Sequence, residues 1–327
     1  MLQSFPCPVC DGNRWHTIGN FHYSRSDDLP SSLGNLQEYV RLRRRVLFEV
    51  WFPGAEEVDL HTVFCEECGF VAFSPRPSEA DIDAKYRFLQ REERDIGGQK
   101  ASGKARRRDT RRAERVYRSV LRHTDNGPLR VLDFGGGNGK LLGSFQRRGH
   151  VCHLVDYSLE PLPGIEKVGD TLEDLAAEST YDVILCSHVI EHLGNPRKTA
   201  HGLAARLREG GILYGEVPID VWGGVDIRYD PVTHVNFFTP LSFELLFARE
   251  GLGVLESRQI GGTYGGGRVH ATLLIARKGQ EPLEGALPRA ADQTLRFLQP
   301  TMWMRIQRAW RLRRVPSMGG ILRRILP

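Results

Sequence analysis

The stretch Val131-Leu132-Asp133-Phe134-Gly135-Gly136-Gly137-Asn138-Gly139 constrains this chain more than any other. Apolar, strand-forming residues run into an acid. A turn of almost nothing but glycine follows, and Lys140-Leu141-Leu142 opens a helical pattern. Strand, Gly-rich turn and helix form the first unit of a nucleotide-binding α/β sheet. Glycine is needed where the backbone turns sharply and lies against a ligand with no Cβ between them. The amides at the helix start then face that ligand. The spacing of Asp133, Gly135, Gly137 and Gly139 lacks the Gly-Lys-Ser/Thr ending of a phosphate-binding loop. An acid ahead of the glycines suits a ligand with a cationic or hydroxyl-rich part.

Further strands follow at regular intervals. Val151–Val155 ends at Asp156, an acid placed either to hold both hydroxyls of a ribose or to cap the next helix. Val168-Gly169-Asp170-Thr171 ends a third strand with another acid. Tyr181–Ser187 reads as a fourth strand, and Gly210 begins a fifth after a helix that starts at Pro196 and runs to about Glu209. These pieces (VLDFGGGNG, Val155-Asp156, YDVILCSHVIEHLGNP at 181–196 and REGGILYGEVP at 208–218) resemble, in order and interval, a class I S-adenosylmethionine (SAM) methyltransferase over residues 129 to about 277. The resemblance implies an α/β, Rossmann-like seven-stranded sheet with SAM as cofactor. By it Asp133, Gly135, Gly137 and Gly139 line the methionine and ribose side of SAM. Asp156 holds the ribose hydroxyls, Asp170 sits near the adenine and Ser187 lies close to the sulfonium.

Four of the six cysteines form two pairs, Cys7-x2-Cys10 and Cys65-x2-Cys68. Two such pairs fill the tetrahedral shell of one structural Zn2+. Disulfides suit a cytosolic chain poorly, and neither pair lies in a thioredoxin-like setting. The segment between the pairs is longer than a compact zinc ribbon needs, so Phe21–Leu60 reads as an inserted excursion with Arg41, Arg43, Arg44 and Arg45 on its surface. The following CGFVAFSPRPSEADIDAKY resembles the zinc-binding front end of bacterial deoxysugar C-methyltransferases and of polysaccharide and natural-product pathway methyltransferases. Ser78 and Asp81 form a capping-box variant that starts a helix.

The acceptor side is read from two later segments. His188, Glu191 and His192 spell H-x-x-E-H, but Gly194-Asn195-Pro196 breaks any helix long enough to align two histidines on a metal. The loop 218–239 is long for a connector and leaves the carboxyl end of the sheet, where ligands bind. His234 within it reads as a general base or as a histidine that holds the loop by a hydrogen bond. By the resemblance, THVNFFT matches the segment in which a His base precedes an aromatic pair, and His192 faces the substrate. Tyr229 joins them as a catalytic candidate. The sugar enzymes carry Tyr-Asp-Glu-His, whereas Pro231-Val232-Thr233 here separates Tyr229-Asp230 from His234, which leaves oxygen methylation as open as carbon methylation.

The chain divides into a zinc-binding domain with insertion (1–80), a helical basic linker (81–127), the SAM domain (128–280) and a basic amphipathic tail (281–327). The formal charge of +5 becomes −3 without the eight arginines of residues 293–327, a stretch that holds no acid. The basic balance therefore argues little for nucleic acid. Trp303, Ile306 and Trp310 on one helical face beside Arg305, Arg308 and Arg311 suit an anionic membrane surface or packing on a partner. With no apolar run of about 18 residues and no signal pattern, the expectation is a cytoplasmic protein, peripheral at the inner membrane face if the tail binds there. Its expected activity is methyl transfer to a nucleotide-linked or lipid-linked sugar or related small molecule. RNA methylation and a non-catalytic scaffold are the alternatives. The Arg-rich 106–122 helix is expected to be a solvated face, and Gly261–Gly267 a mobile loop between the last two strands.

Overall fold

The computed structural model describes residues 5–26, 28–29, 31–94, 103–125, 127–157, 160–219, 230–264 and 267–279. The expectations placed on Tyr229, on the 281–327 tail and on the tip of the last hairpin lie outside them. Two sheets form. The larger is built from β4 (Arg130–Phe134), β5 (Val151–Val155), β6 (Glu166–Gly169), β7 (Tyr181–Ser187), β8 (Leu207–Pro218), β10 (Leu252–Tyr264) and β11 (Gly267–Lys278), in the order β10-β11-β8-β7-β4-β5-β6. β4 to β8 are mutually parallel, and β11 is antiparallel to both its neighbours. This is the seven-stranded α/β sheet expected.

Both faces of the central strands are buried, which is why those strands read as continuous apolar runs. On one face Val131, Val183 and Leu185 pack with Val116 and Val120 of α3 (Gly103–Leu121). On the other, Leu132, Ile184 and Cys186 pack with Leu203 of α5 (Pro196–Arg206) and Phe243 of α6 (Pro240–Ala248). The chain order reverses between β4 and β7, so a crevice opens at their carboxyl ends.

The second sheet, β1-β2-β3-β9, is antiparallel: β1 (Trp15–Ser24), β2 (Glu57–Cys65), β3 (Val71–Ser74) and β9 (Asn236–Phe237). β9 comes from the segment after β8, so the candidate catalytic loop is stitched into the cysteine module. Phe70 stacks on Phe238 at 5.1 Å and Phe238 on Phe243 at 5.5 Å, joining that module to α6. The insertion is an extension of the β1–β2 hairpin that carries α1 (Gln37–Arg45) and a wide turn, Val46–Trp51. Val46, Leu47 and Phe48 share a core with Phe88 of α2 (Glu79–Arg94) and with Val232 and Phe237. Ser78 and Asp81 cap α2 as expected, Ser78 Oγ donating to Asp81 Oδ2 at 2.7 Å.

Three expectations change. Arg43 and Arg44 are half-buried, unlike the exposed Arg41 and Arg45, because α1 packs inward. α5 stops at Arg206, since Leu207 already pairs with Tyr181 and is buried in the sheet. The expected loop 261–267 is mostly strand: the β10–β11 ladder runs unbroken from Gly261↔His270 to Tyr264↔Gly267. Its glycines suggested a loop, but cross-strand pairing overrides that preference.

Candidate active site

Two knuckle turns bring the four cysteines together. Asp11 (φ 63°) and Gly69 (φ 77°) adopt left-handed backbone, and Asp11 N donates to Cys7 O and Gly69 N to Cys65 O, both at 2.9 Å. Cys7 Sγ lies 3.6 Å from Cys68 Sγ and Cys10 Sγ 3.5 Å from Cys65 Sγ, and all four sulfurs lie within 4.8 Å of one another. These spacings exceed a disulfide bond. A tetrahedron with Zn–S bonds of ≈ 2.3 Å has edges of roughly 3.8 Å, so the donor set fits a closed zinc site. Crowding separates the thiols: Cys10 beside them holds Cys65 far below the usual range and pushes Cys68 far above it.

The crevice at the switch point collects Asp133, the glycine turn, Asp156 and Ser187. Gly135, Gly137 and Gly139 take φ of 68°, 62° and 81°. A Cβ on Gly135 would stand 2.4 Å from Val189 Cγ2, and one on Gly136 2.1 Å from Asp133 Oδ2. Gly137 N donates to Asp156 Oδ2 at 2.7 Å. Asp133 is fully buried, and neither of its carboxylate oxygens has a hydrogen-bond partner. A bare backbone cradle beside a buried carboxylate fits a ligand with an ammonium group and a ribose, as SAM has. Asp170 follows Gly169, whose carbonyl accepts from Asp156 N at 3.2 Å, and its carboxylate pairs with Lys167 at 2.5 Å.

Burial pushes the Asp133 carboxyl up to about 7, with Arg112 opposing the rise and Asp156 adding to it. Binding a cationic amine favours the ionised form. S-adenosylhomocysteine is therefore expected to bind with proton release below pH 7, its affinity falling by up to about tenfold per pH unit. Above pH 7 the affinity should level off. Calorimetry in two buffers of different ionisation enthalpy measures both effects. The same raised value costs the folded protein stability progressively from pH 3.8 to about 7, and ligand binding offsets that cost.

Arg112 and Glu216 were not anticipated. Arg112 Nη2 donates to Ser187 Oγ at 2.7 Å and to Glu216 Oε2 at 2.8 Å, and Ser187 Oγ donates to the same carboxylate oxygen at 2.8 Å. Burial works to raise the Glu216 carboxyl, but Arg112 and His188 outweigh it and leave it lowered. The α3 helix is thus not only a solvated face. Arg112 lies four and eight residues before buried Val116 and Val120, on their stripe, and that periodicity was the available signal.

From Glu216 the polar groups continue toward the acceptor side. His188, in left-handed backbone at φ 57°, places Nε2 3.9 Å from Glu216 Oε1 and Nδ1 3.4 Å from Glu191 Oε1. A short helical turn, Ile190–His192, then sets His192 Nε2 3.8 Å from Glu191 Oε1. His188 and His192 therefore do not stack on one long helix, in keeping with the rejected peptidase pattern. His192 instead meets His234, their rings 4.6 Å apart and edge-to-face. Ligand atoms of Glu191, His192 and His234 lie within 4.8 Å of one another. His192 Nδ1 donates to Thr233 O at 2.7 Å, which leaves Nε2 as the open acceptor. Burial lowers both imidazoles, His234 furthest, with His192, His188 and Lys85 adding to its depression. Both are therefore neutral at pH 7.

Residues 105–257 match the family model described as a methyltransferase domain. The ubiquinone biosynthesis O-methyltransferase of Salmonella typhimurium is 32% identical over 98 residues, 26% of this chain. The chain spans 40% of the length of that curated relative. A 1,6-didemethyltoxoflavin-N1-methyltransferase of Burkholderia thailandensis aligns over 60% of this chain and 87% of its own, with 19% identity and a TM-score of 0.44. An N-methyltransferase of Bradyrhizobium japonicum aligns over 59% and 98%, with 17% identity and a TM-score of 0.41. The strand order, the single antiparallel strand β11 and the glycine turn at the switch point make this the fold of the class I SAM-dependent methyltransferases.

Proposed function

We propose that the chain is a SAM-dependent methyltransferase acting on a small molecule, with a nucleotide-linked or lipid-linked sugar hydroxyl or acidic carbon as acceptor. The observation that carries this reading is the half-buried His192–His234 pair, both imidazoles lowered by desolvation, joined through Glu191, His188 and Glu216 to the cradle around Ser187. When bound, SAM supplies an electrophilic methyl on sulfur. Asp133, the turn at Gly135–Gly139 and Asp156 would hold it, Asp133 taking the ammonium and Asp156 the ribose hydroxyls. Arg112 fixes the Ser187 hydroxyl and neutralises Glu216 beside the transfer point. The His234 imidazole takes the acceptor's proton, and His192 orients the acceptor through its open Nε2. The apolar packing of Phe237 and Phe238 behind the loop limits water there. The sugar class rests on the resemblance of the N-terminal cysteine module and the THVNFFT segment.

The test is transfer from methyl-tritiated SAM into a whole-cell lysate by wild type and His234→Ala, with label sorted into water-soluble compounds, lipid and RNA. Label in the soluble or lipid fraction, lost in the variant, supports the reading. Label in RNA overturns the acceptor class, and no label in any fraction favours a scaffold.

A further inference from the structure

The segment bearing His234 is held from two sides: Val235 N donates to Glu191 O at 2.9 Å, and side chains from the first 85 residues make further contacts. Lys85 Nζ donates to Val232 O at 3.2 Å, and Arg76 Nη1 to Val235 O at 3.3 Å. The third hold comes from the tip of the insertion. Tyr39 OH donates to Asp230 Oδ2 at 2.7 Å and lies 3.0 Å from Thr233 Oγ1. Asp230 Oδ1 in turn accepts from Thr233 N at 3.0 Å. Thr233 is the residue whose carbonyl receives the Nδ1–H of His192 at 2.7 Å. Its other neighbour in sequence is His234.

We propose that Tyr39 is a positioning residue: through Asp230 and Thr233 it fixes the Nδ1–H tautomer of His192 and the place of His234. The inference rests on the methyl-transfer reading for its purpose and on the hydrogen-bond chain for its substance. An imidazole with two candidate proton positions keeps one when a fixed carbonyl receives it. Removing the tyrosine hydroxyl frees Asp230 and lets the Thr233 carbonyl swing. Burial, with Asp230 beside it, pushes the Tyr39 hydroxyl up, so it stays protonated as the donor this chain needs. Arg43 covers the Tyr39 ring, its guanidinium 4.5 Å from the ring centre, and donates to Thr233 Oγ1 at 3.2 Å, so Tyr39→Phe keeps the packing and loses only the hydroxyl. Glu191, His188, His234 and Lys85 are the other charged or titratable groups that act on His192. Among the described residues, its Nδ1 bonds the Thr233 carbonyl.

The test uses full-length protein labelled with 15N-histidine, the His192 ring signals assigned with a His192→Gln variant. Wild type should show Nδ1 protonated and Nε2 unprotonated at pH 7.5. Tyr39→Phe should give an Nε2–H form or an averaged signal. Asp230→Asn, which weakens the same chain at its other end, should do likewise. In the labelled-SAM assay Tyr39→Phe should lose on the order of tenfold to a hundredfold in transfer rate, with S-adenosylhomocysteine affinity unchanged. An unaltered Nδ1–H tautomer in both variants overturns the proposal. The tautomer readout needs no acceptor, so it stands or falls separately from the methyl-transfer reading.

Discussion

His234→Ala is expected to lower methyl transfer by about two to four orders of magnitude, roughly 3–5 kcal/mol of barrier, while S-adenosylhomocysteine binds as in wild type. The size follows from the removal of a proton acceptor in a half-buried site where the neighbouring imidazole, His192, has its Nδ1 committed to Thr233 O. The pH dependence gives a second check. The base must be neutral, and burial with His192 nearby holds His234 well below 6.5. The rate should therefore persist as pH falls through 6.5 and fail only at lower pH. The linkage has the same sign: a depressed imidazole contributes stability that is complete above pH 6.5 and is lost as pH falls toward the folded value. A pH–rate profile of wild type beside His234→Gln measures this. An acid limb at the ordinary imidazole value would mean that a different, exposed group takes the proton.

Removing the metal should have the second large effect, although no cysteine lies at the transfer point. Structural zinc sites contribute about 10–16 kcal/mol of apparent binding energy in small zinc peptides. Here the knuckle at Cys65–Cys68 begins β3, β3 pairs with β9, and β9 follows His234 by one residue. Cys68→Ser should lose the metal, which elemental analysis of wild type should find at one zinc per chain. Its melting midpoint should fall by about 10 °C or more, since each kcal/mol moves a domain of this size by ~2–4 °C. Methyl transfer should fall with it, and S-adenosylhomocysteine affinity much less, because Asp133 and the glycine turn sit on the other sheet. Retention of full activity in a zinc-free variant would show that β9 does not depend on the cysteine module.

Local chemistry is what made much of this legible in advance. Asp133 and the glycines announce a strand-to-helix turn because the left-handed backbone there favours glycine. Cys7-x2-Cys10 and Cys65-x2-Cys68 announce a cluster because two-residue spacing sets a knuckle. Ser78 and Asp81 announce a helix start for the same reason. Arg112 was hidden because its arginine neighbours on the same helix face solvent, and only its register with Val116 and Val120 marks it. Tyr39 was hidden more deeply. Its partner Asp230 is 191 residues away, and nothing local in an insertion of mixed composition encodes such a meeting. Glu216 lies among the buried residues of β8, where an acid was a visible but unread signal. Gly261, Gly262 and Gly267 misled in the opposite direction: they mark a loop by propensity, yet the β10–β11 ladder carries them as strand.

The measurement that bears most directly on the central claim is calorimetric titration of the full chain with S-adenosylhomocysteine, wild type against Gly135→Val. Wild type should bind one equivalent. The variant should bind none, because Gly135 has φ 68° and its Cβ would stand 2.4 Å from Val189 Cγ2 at the floor of the cradle. Absence of binding to folded wild type, or equal binding by the variant, would contradict the assignment of the switch-point crevice to SAM.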